Sequence, residues 1–291
     1  MKNPVPRVAA IHDMSGFGRA SLTVIIPVLS TMGIQVCPLP TAVLSTHTGG
    51  FAGYKIVDLT EHMPGFIQHW KSLDIQFDVI YSGYLGAHEQ VDILSGFIED
   101  FSCPDQMVVV DPVMGDDGRP YATMGPDMIR EMKKLVRRAD VITPNFTEAA
   151  FLLDEPCIDH ISEEECKQWM LRLCDQGPRM VIVTSVPAPD SSKASFVVAY
   201  DREDGRFWKV ACSYVPAYYP GTGDAFASVI VGSLLQGDSL PIALDRAVQF
   251  VSMAIRATFG HRCPPKEGVH LEKVLHNLRA PVMASSYEIL E

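Results

Sequence analysis

The stretch Pro220-Gly221-Thr222-Gly223-Asp224-Ala225 carries the sharpest chemical signal in this chain of 291 residues. Two glycines flanking a threonine let successive backbone N–H groups converge on one point. The residues that follow, Ala225 to Gly237, carry no charge and read as a helix over Asp224–Gln236 closed by Gly237. A glycine turn opening a helix is an anion site, because the helix N-terminus adds the positive end of its dipole. Asp224 falls in the first turn. A carboxylate there could accept a proton from a hydroxyl while the N–H groups hold the charge on a transferring phosphoryl group. The plainer reading is a helix cap, since aspartate is favoured at that position. The motif alone does not decide between them.

Other loops carry polar, glycine-rich chemistry of the same kind. They are His12-Asp13-Met14-Ser15-Gly16-Phe17-Gly18-Arg19, Ser45-Thr46-His47-Thr48-Gly49-Gly50 and Ser82-Gly83-Tyr84-Leu85-Gly86. Asp111-Pro112-Val113-Met114-Gly115-Asp116, Thr143-Pro144-Asn145-Phe146-Thr147-Glu148 and Thr184-Ser185 follow. Each comes after a short apolar run that reads as a buried strand: Val8–Ile11, Ile34–Pro38, Val79–Tyr81, Met107–Val110, Asp140–Ile142 and Met180–Thr184. Helical patterns lie between these runs, near 19–32, 87–101, 125–138, 145–153 and 162–176. That alternation predicts βαβ units and a mainly parallel sheet covered on both faces, with ligands beyond the C-terminal strand ends. Phe196–Tyr200 and Phe207–Ala211 predict an antiparallel hairpin at the sheet edge. The last third reads as helices at 224–236, 241–259 and 270–278. With no internal repeat and no long linker, the expectation is a single three-layer α/β/α domain over 1–291, with a tail at 281–291 to which no role is assigned.

Composition narrows the function classes. Lys+Arg is 24 against 35 Asp+Glu, a net charge of −11, which argues against nucleic-acid and anionic-membrane surfaces. The uncharged stretch Ala20–Tyr54 is broken by four prolines and glycines before Thr41 and is no membrane span. Its Thr41–Tyr54 part is a candidate flap or subunit contact. Seven cysteines without CxxC spacing suggest buried free thiols and a cytoplasmic setting rather than a disulfide framework or zinc site. No P-loop, complete GxGxxG, HExxH or GxSxG occurs.

Taken in order, Ser82–Gly86, Asp111–Gly115, Thr143–Glu148 and Gly221–Asp224 resemble the pyridoxal kinases of the ribokinase-like superfamily of small-molecule kinases. The resemblance runs from position 8 to about 260. It implies ATP-dependent phosphorylation of the 5′-hydroxymethyl group of a vitamin B6 vitamer. Asp224 would be the catalytic base, with Gly221, Thr222 and Gly223 forming the anion hole. Asp13, Ser15, Thr48 and Tyr84 would meet the acceptor ring. Asp111, Thr143, Asn145, Glu148, Thr184, Ser185 and Thr222 would meet ATP, with Asp111 and Glu148 also serving Mg²⁺. Asp13 departs from the serine these kinases commonly carry there. The resemblance extends to a homodimer and leaves a monovalent cation as an open point.

Plainer accounts stand beside several of these residues. Asn145 suits a helix cap, Asp111 a strand-end turn, Glu148 a solvated helix carboxylate, His47 a satisfied loop histidine and Tyr84 core packing. Three rival functions remain: a hydroxymethylpyrimidine kinase of thiamin salvage, many of which carry GTGC at the last motif, a sugar or nucleoside kinase of the same superfamily, and a non-catalytic vitamer-binding protein of the same fold.

Overall fold

The computed structural model describes residues 4–188, 195–280 and 286–290. The chain forms two compact units, one from 1–106 and 215–283, the other from 107–214 and 284–291.

In the first unit, β1 (Arg7–Ser15) is the central strand, parallel to β2 (Gln35–Leu44) on one side and β4 (Val79–Ser82) on the other. The short β3 (Ile56–Asp58) adds antiparallel to β2. Val8 to Ile11 are fully buried, as expected of a strand covered on both faces. The strand runs four residues beyond the apolar run: His12, Asp13 and Ser15 are also buried, and His12, Met14 and Ser15 still pair with β2. These residues were expected in a loop and instead lie on the strand. The β1–β2 register breaks between His12 and Met14, where Asp13 alone faces Thr41 and Ala42 of β2 at a bulge, a device that changes local side-chain direction. β2 likewise runs to Leu44, so the candidate flap starts as strand.

Helices α1 (Leu22–Thr31), α2 (Met63–Ser72), α3 (Glu89–Asp100), α7 (Thr222–Leu235) and α8 (Leu240–Thr258) belong to this unit. α1 packs on β1 and β2 and against α7, which packs in turn on α8. α2 was not expected. The 270–278 helix is two short 3₁₀ segments, Leu271–Lys273 and Leu275–Arg279.

The second unit holds β5 (Met107–Val110), β8 (Val141–Ile142) and β9 (Met180–Pro187) in parallel, followed by antiparallel β10 (Ser195–Asp201), β11 (Arg206–Cys212) and β12 (Tyr287–Leu290). A small hairpin of β6 (Gly115–Asp116) and β7 (Arg119–Pro120) follows β5. The helices are α4 (Pro126–Val136), α5 (Phe146–Leu153) and α6 (Glu163–Asp175). The tail thus acquires a role in β12, while 281–285 and 291 lie outside the described residues. Thr184 and Ser185 belong to β9 rather than to a loop after it. The β9–β10 register shifts beside them, and Ser185 adopts φ 58°.

Among the described residues no helix is long and apolar enough to cross a membrane. The cysteines are free, but only Cys166 and Cys174 are buried; Cys157 is exposed and the others are half-buried, which corrects the expectation of buried thiols.

Candidate active site

In the first unit, the Asp13 bulge, the start of α1 and the start of α7 meet. Gly221 caps α7 at φ 80°, and a Cβ there would overlap the Arg19 carbonyl oxygen, so this turn requires glycine. The first N–H groups of α7, those of Thr222 and Gly223 among them, have no acceptor within the helix. Gly221, not Asp224, is the N-cap of α7, and Asp224 stands three residues further on in its first turn. Its Oδ2 accepts the Ser21 N–H at 2.8 Å, from the residue before α1. The plain helix-cap reading of Asp224 therefore fails. Burial pushes the Asp224 carboxyl up to about 6, against the Ser21 N–H and with added repulsion from Asp13. Asp13 is 5% exposed; it accepts from the Ser21 hydroxyl and, at 3.3 Å, from Ser15 Oγ. Burial raises its pKa while both hydroxyls oppose the rise.

The other acceptor-side candidates differ in exposure. His47 is buried; its Nε2 lies 2.7 Å from the Lys266 carbonyl, and its Nδ1 accepts the Gly49 N–H at 3.1 Å. That pattern makes Nε2 the protonated nitrogen, and burial lowers the pKa of the ring. His47 is the satisfied loop histidine of the plainer reading, tying the 45–55 loop to the Pro265–Glu267 turn. Thr48 is exposed on this loop, and Thr46 Oγ1 donates to the His47 carbonyl. Tyr84 is half-buried, with its carbonyl accepting from Thr41 Oγ1 at 3.2 Å.

The second unit holds the acidic set. Asp111, at the end of β5, accepts from Thr143 Oγ1 at 3.0 Å. Asn145 caps α5 in a reciprocal box with Glu148, and its Nδ2 donates to the Gly115 carbonyl at 2.8 Å. Glu148 accepts the Met114 N–H at 2.9 Å and the Asn145 N–H at 2.8 Å. It is 3% exposed rather than solvated. Burial, and then the nearby Asp111 charge, push its carboxyl well above the usual range. The Thr184 N–H donates to the Pro144 carbonyl at 3.0 Å, which brings β9 beside the Asn145 turn.

The glycine turn with Asp224 lies on the first unit and the buried Asp111 and Glu148 on the second. The family described as phosphomethylpyrimidine kinase matches residues 26–267. The chain belongs to this family. A Bacteroides thetaiotaomicron protein assigned to the phosphomethylpyrimidine kinases, in an orthorhombic crystal form with pyridoxal, superposes at a TM-score of 0.96 and 56% identity. The match covers 98% of this chain and 100% of that one. The pyridoxal kinase of Lactobacillus plantarum superposes at 0.86 and 31% identity, over 94% and 96%. The Arabidopsis thaliana chloroplastic thiamine biosynthetic bifunctional enzyme TH1 is 30% identical over 256 residues, 86% of this chain. This chain spans about half the length of that enzyme, 47%. The expected ribokinase-like α/β fold, with its mainly parallel sheet, is the fold of this member of the kinase family.

The contacts of three residues of this family member went unforeseen in the sequence. Ser21, which bonds both Asp13 and Asp224, adopts φ 51° without being glycine, and nothing local announces that. Gln90 is fully buried on α3. It accepts the Gly86 N–H at 2.9 Å and donates to the Thr41 carbonyl and Thr60 Oγ1, so it holds the Tyr84 loop against β2. His12 is fully buried against Tyr81, ring centroids 4.4 Å apart, and a Cβ at Gly83 would overlap its ring.

Proposed function

We propose that this protein transfers the γ-phosphoryl group of ATP to the 5′-hydroxymethyl group of a B6 vitamer, giving the 5′-phosphate. The observation that carries the reading is Asp224. It is a half-buried carboxylate at the start of α7, held by the Ser21 N–H and poised at about 6. A general base is most effective when its pKa lies near the working pH. Asp224 takes the hydroxyl proton as the oxygen attacks phosphorus. The N–H groups of Gly221, Thr222 and Gly223 and the dipole of α7 hold the phosphoryl oxygens as charge develops. Asp13, Ser15, Thr48 and Tyr84 orient the ring. Thr143, Asn145, Thr184, Ser185 and Thr222 contact the nucleotide. The likeness to the Bacteroides structure with pyridoxal and to the Lactobacillus pyridoxal kinase supports the acceptor.

Asp111 and Glu148 suit Mg²⁺, because two buried carboxylates that repel each other gain from a nearby cation. Among the described residues no cluster of three or more His, Cys, Asp or Glu is placed to hold a metal. Mg²⁺ commonly takes one or two carboxylates and completes its shell with water and phosphate oxygens. Glu148 would reach it through water, since the Met114, Asn145 and Gly115 N–H groups already act on its carboxylate. The ion supplies charge neutralisation on the phosphates. A single catalytic domain, a homodimer and a cytoplasmic setting complete the proposal.

A second reading, a hydroxymethylpyrimidine acceptor, is favoured by the description of the matching family and by the thiamine biosynthetic relative. One experiment separates them: ATP consumption with Mg²⁺ and pyridoxal, pyridoxine, pyridoxamine or hydroxymethylpyrimidine, for wild type and Asp224→Asn. Turnover on a B6 vitamer, falling by about 10³-fold or more in Asp224→Asn, is expected. Turnover on the pyrimidine alone moves the protein to thiamin chemistry. Vitamer binding without turnover makes it a binder.

A further inference from the structure

Ser21 does not act as a serine at a helix start commonly does. Its side chain makes no cap bond to α1. Thr23 bonds that turn instead, its Oγ1 accepting the Ala20 N–H at 3.2 Å and donating to the Ala20 carbonyl at 2.8 Å. The Ser21 hydroxyl is turned to Asp13 Oδ1 and its N–H to Asp224 Oδ2. Its backbone, at φ 51° and ψ −132°, occupies a region that glycine enters freely and other residues enter only under constraint. Glycine would relieve that strain but would also remove the hydroxyl. Among the described residues, Ser21 alone is hydrogen-bonded to both carboxylates.

We propose that Ser21 is a positioning residue that joins Asp13 and Asp224 into one linked pair, through a single backbone N–H and a single hydroxyl. This rests on the kinase reading of Asp224. The hydroxyl favours the ionised form of Asp13, and the Asp13 charge in turn raises the proton affinity of Asp224. The groups facing the pair are few. Ser15 donates to Asp13 from β1 itself. His47 faces Asp13 from the loop after β2, with burial holding its ring pKa down. The Arg19 guanidinium is engaged with Glu272 at 3.0 Å.

The test is the pH dependence of kcat at saturating vitamer for wild type, Ser21→Gly, Ser21→Ala, Asp13→Asn and the double variant Asp13→Asn/Ser21→Gly. Without the hydroxyl, Asp13 is neutral more of the time and repels Asp224 less. The acid limb should therefore move to lower pH by about half a unit or more in both serine variants. In the Asp13→Asn background, Ser21→Gly should add no further shift. A role confined to backbone shape would leave the limb in place in Ser21→Gly, and that result overturns the proposal. If turnover falls too low to follow, ¹³C-carboxyl NMR titration of the aspartates in folded wild type and Ser21→Gly reads the same linkage, and an unchanged Asp224 titration overturns it. Absence of turnover in the wild type would sink the kinase reading, while the titration would still decide the linkage.

Discussion

Asp224 carries the pH behaviour expected of the enzyme. A base acts in its ionised form, and burial has moved this carboxyl up to about 6. Activity should therefore be full above about pH 7 and should fall about tenfold per unit once well below 6. A kcat profile on the preferred vitamer checks this; an acid limb near 4 would mean that the carboxylate is more solvated than the structure has it. The place of Asp224 in the first turn of a helix was legible from Gly221-Thr222-Gly223, because paired glycines mark the turn that opens it, though the motif left its task undecided. Its partner was not. Ser21 is 203 residues away in sequence, and a serine forced to positive φ leaves no mark in local composition. Asp13 was picked out by family likeness, but its bulge depends on the register between β1 and β2, which the sequence of β1 alone does not encode.

The turns that present these side chains are the next place to test. Gly221→Ala forces a Cβ onto the Arg19 carbonyl at φ 80°, so it should cost about 1–3 kcal/mol of stability and lower kcat more than it raises KM. Chemical denaturation and steady-state kinetics read the two effects separately. Asn145→Ala removes the α5 cap and the bond to the Gly115 carbonyl. About 1 kcal/mol of stability should go with it, together with a higher apparent requirement for Mg²⁺ as Glu148 loses half of its reciprocal box. The apolar runs of β5, β8 and β9 announced themselves, because strands buried on both faces must be continuously hydrophobic. Helix α2 did not. Only Met63 and Ile67 are buried along it, so no stripe of apolar residues marks it. β12 was invisible for a related reason: a four-residue edge strand with half its residues exposed has almost no pattern to read.

Stability of the protein as a unit should depend on acid through His12. Burial holds its pKa down to about 3, below the 6.5 of an ordinary histidine. The unfolded chain therefore binds a proton that the folded one refuses. The contribution is fully present above pH 6.5 and is lost as pH falls from there toward 3. At pH 5 the loss is about 2 kcal/mol. Asp224 acts with the opposite sign, since its raised pKa favours the folded state as pH falls from about 6 toward 3.8. His12→Leu should flatten the descent between pH 6.5 and 5 in denaturation midpoints, whatever it does to the absolute value. An unchanged slope would mean that His12 is protonated in the fold.

The bond from the Ser21 N–H to Asp224 also bears on biosynthesis. Its two ends leave the ribosome 203 residues apart. Until α7 emerges, the Ser21 N–H of a nascent chain has no Asp224 acceptor, and the turn at φ 51° lacks one of the bonds that hold it. Truncated translation products that stop before Asp224 should therefore be substrates for chaperones and proteases, and not partly active enzymes.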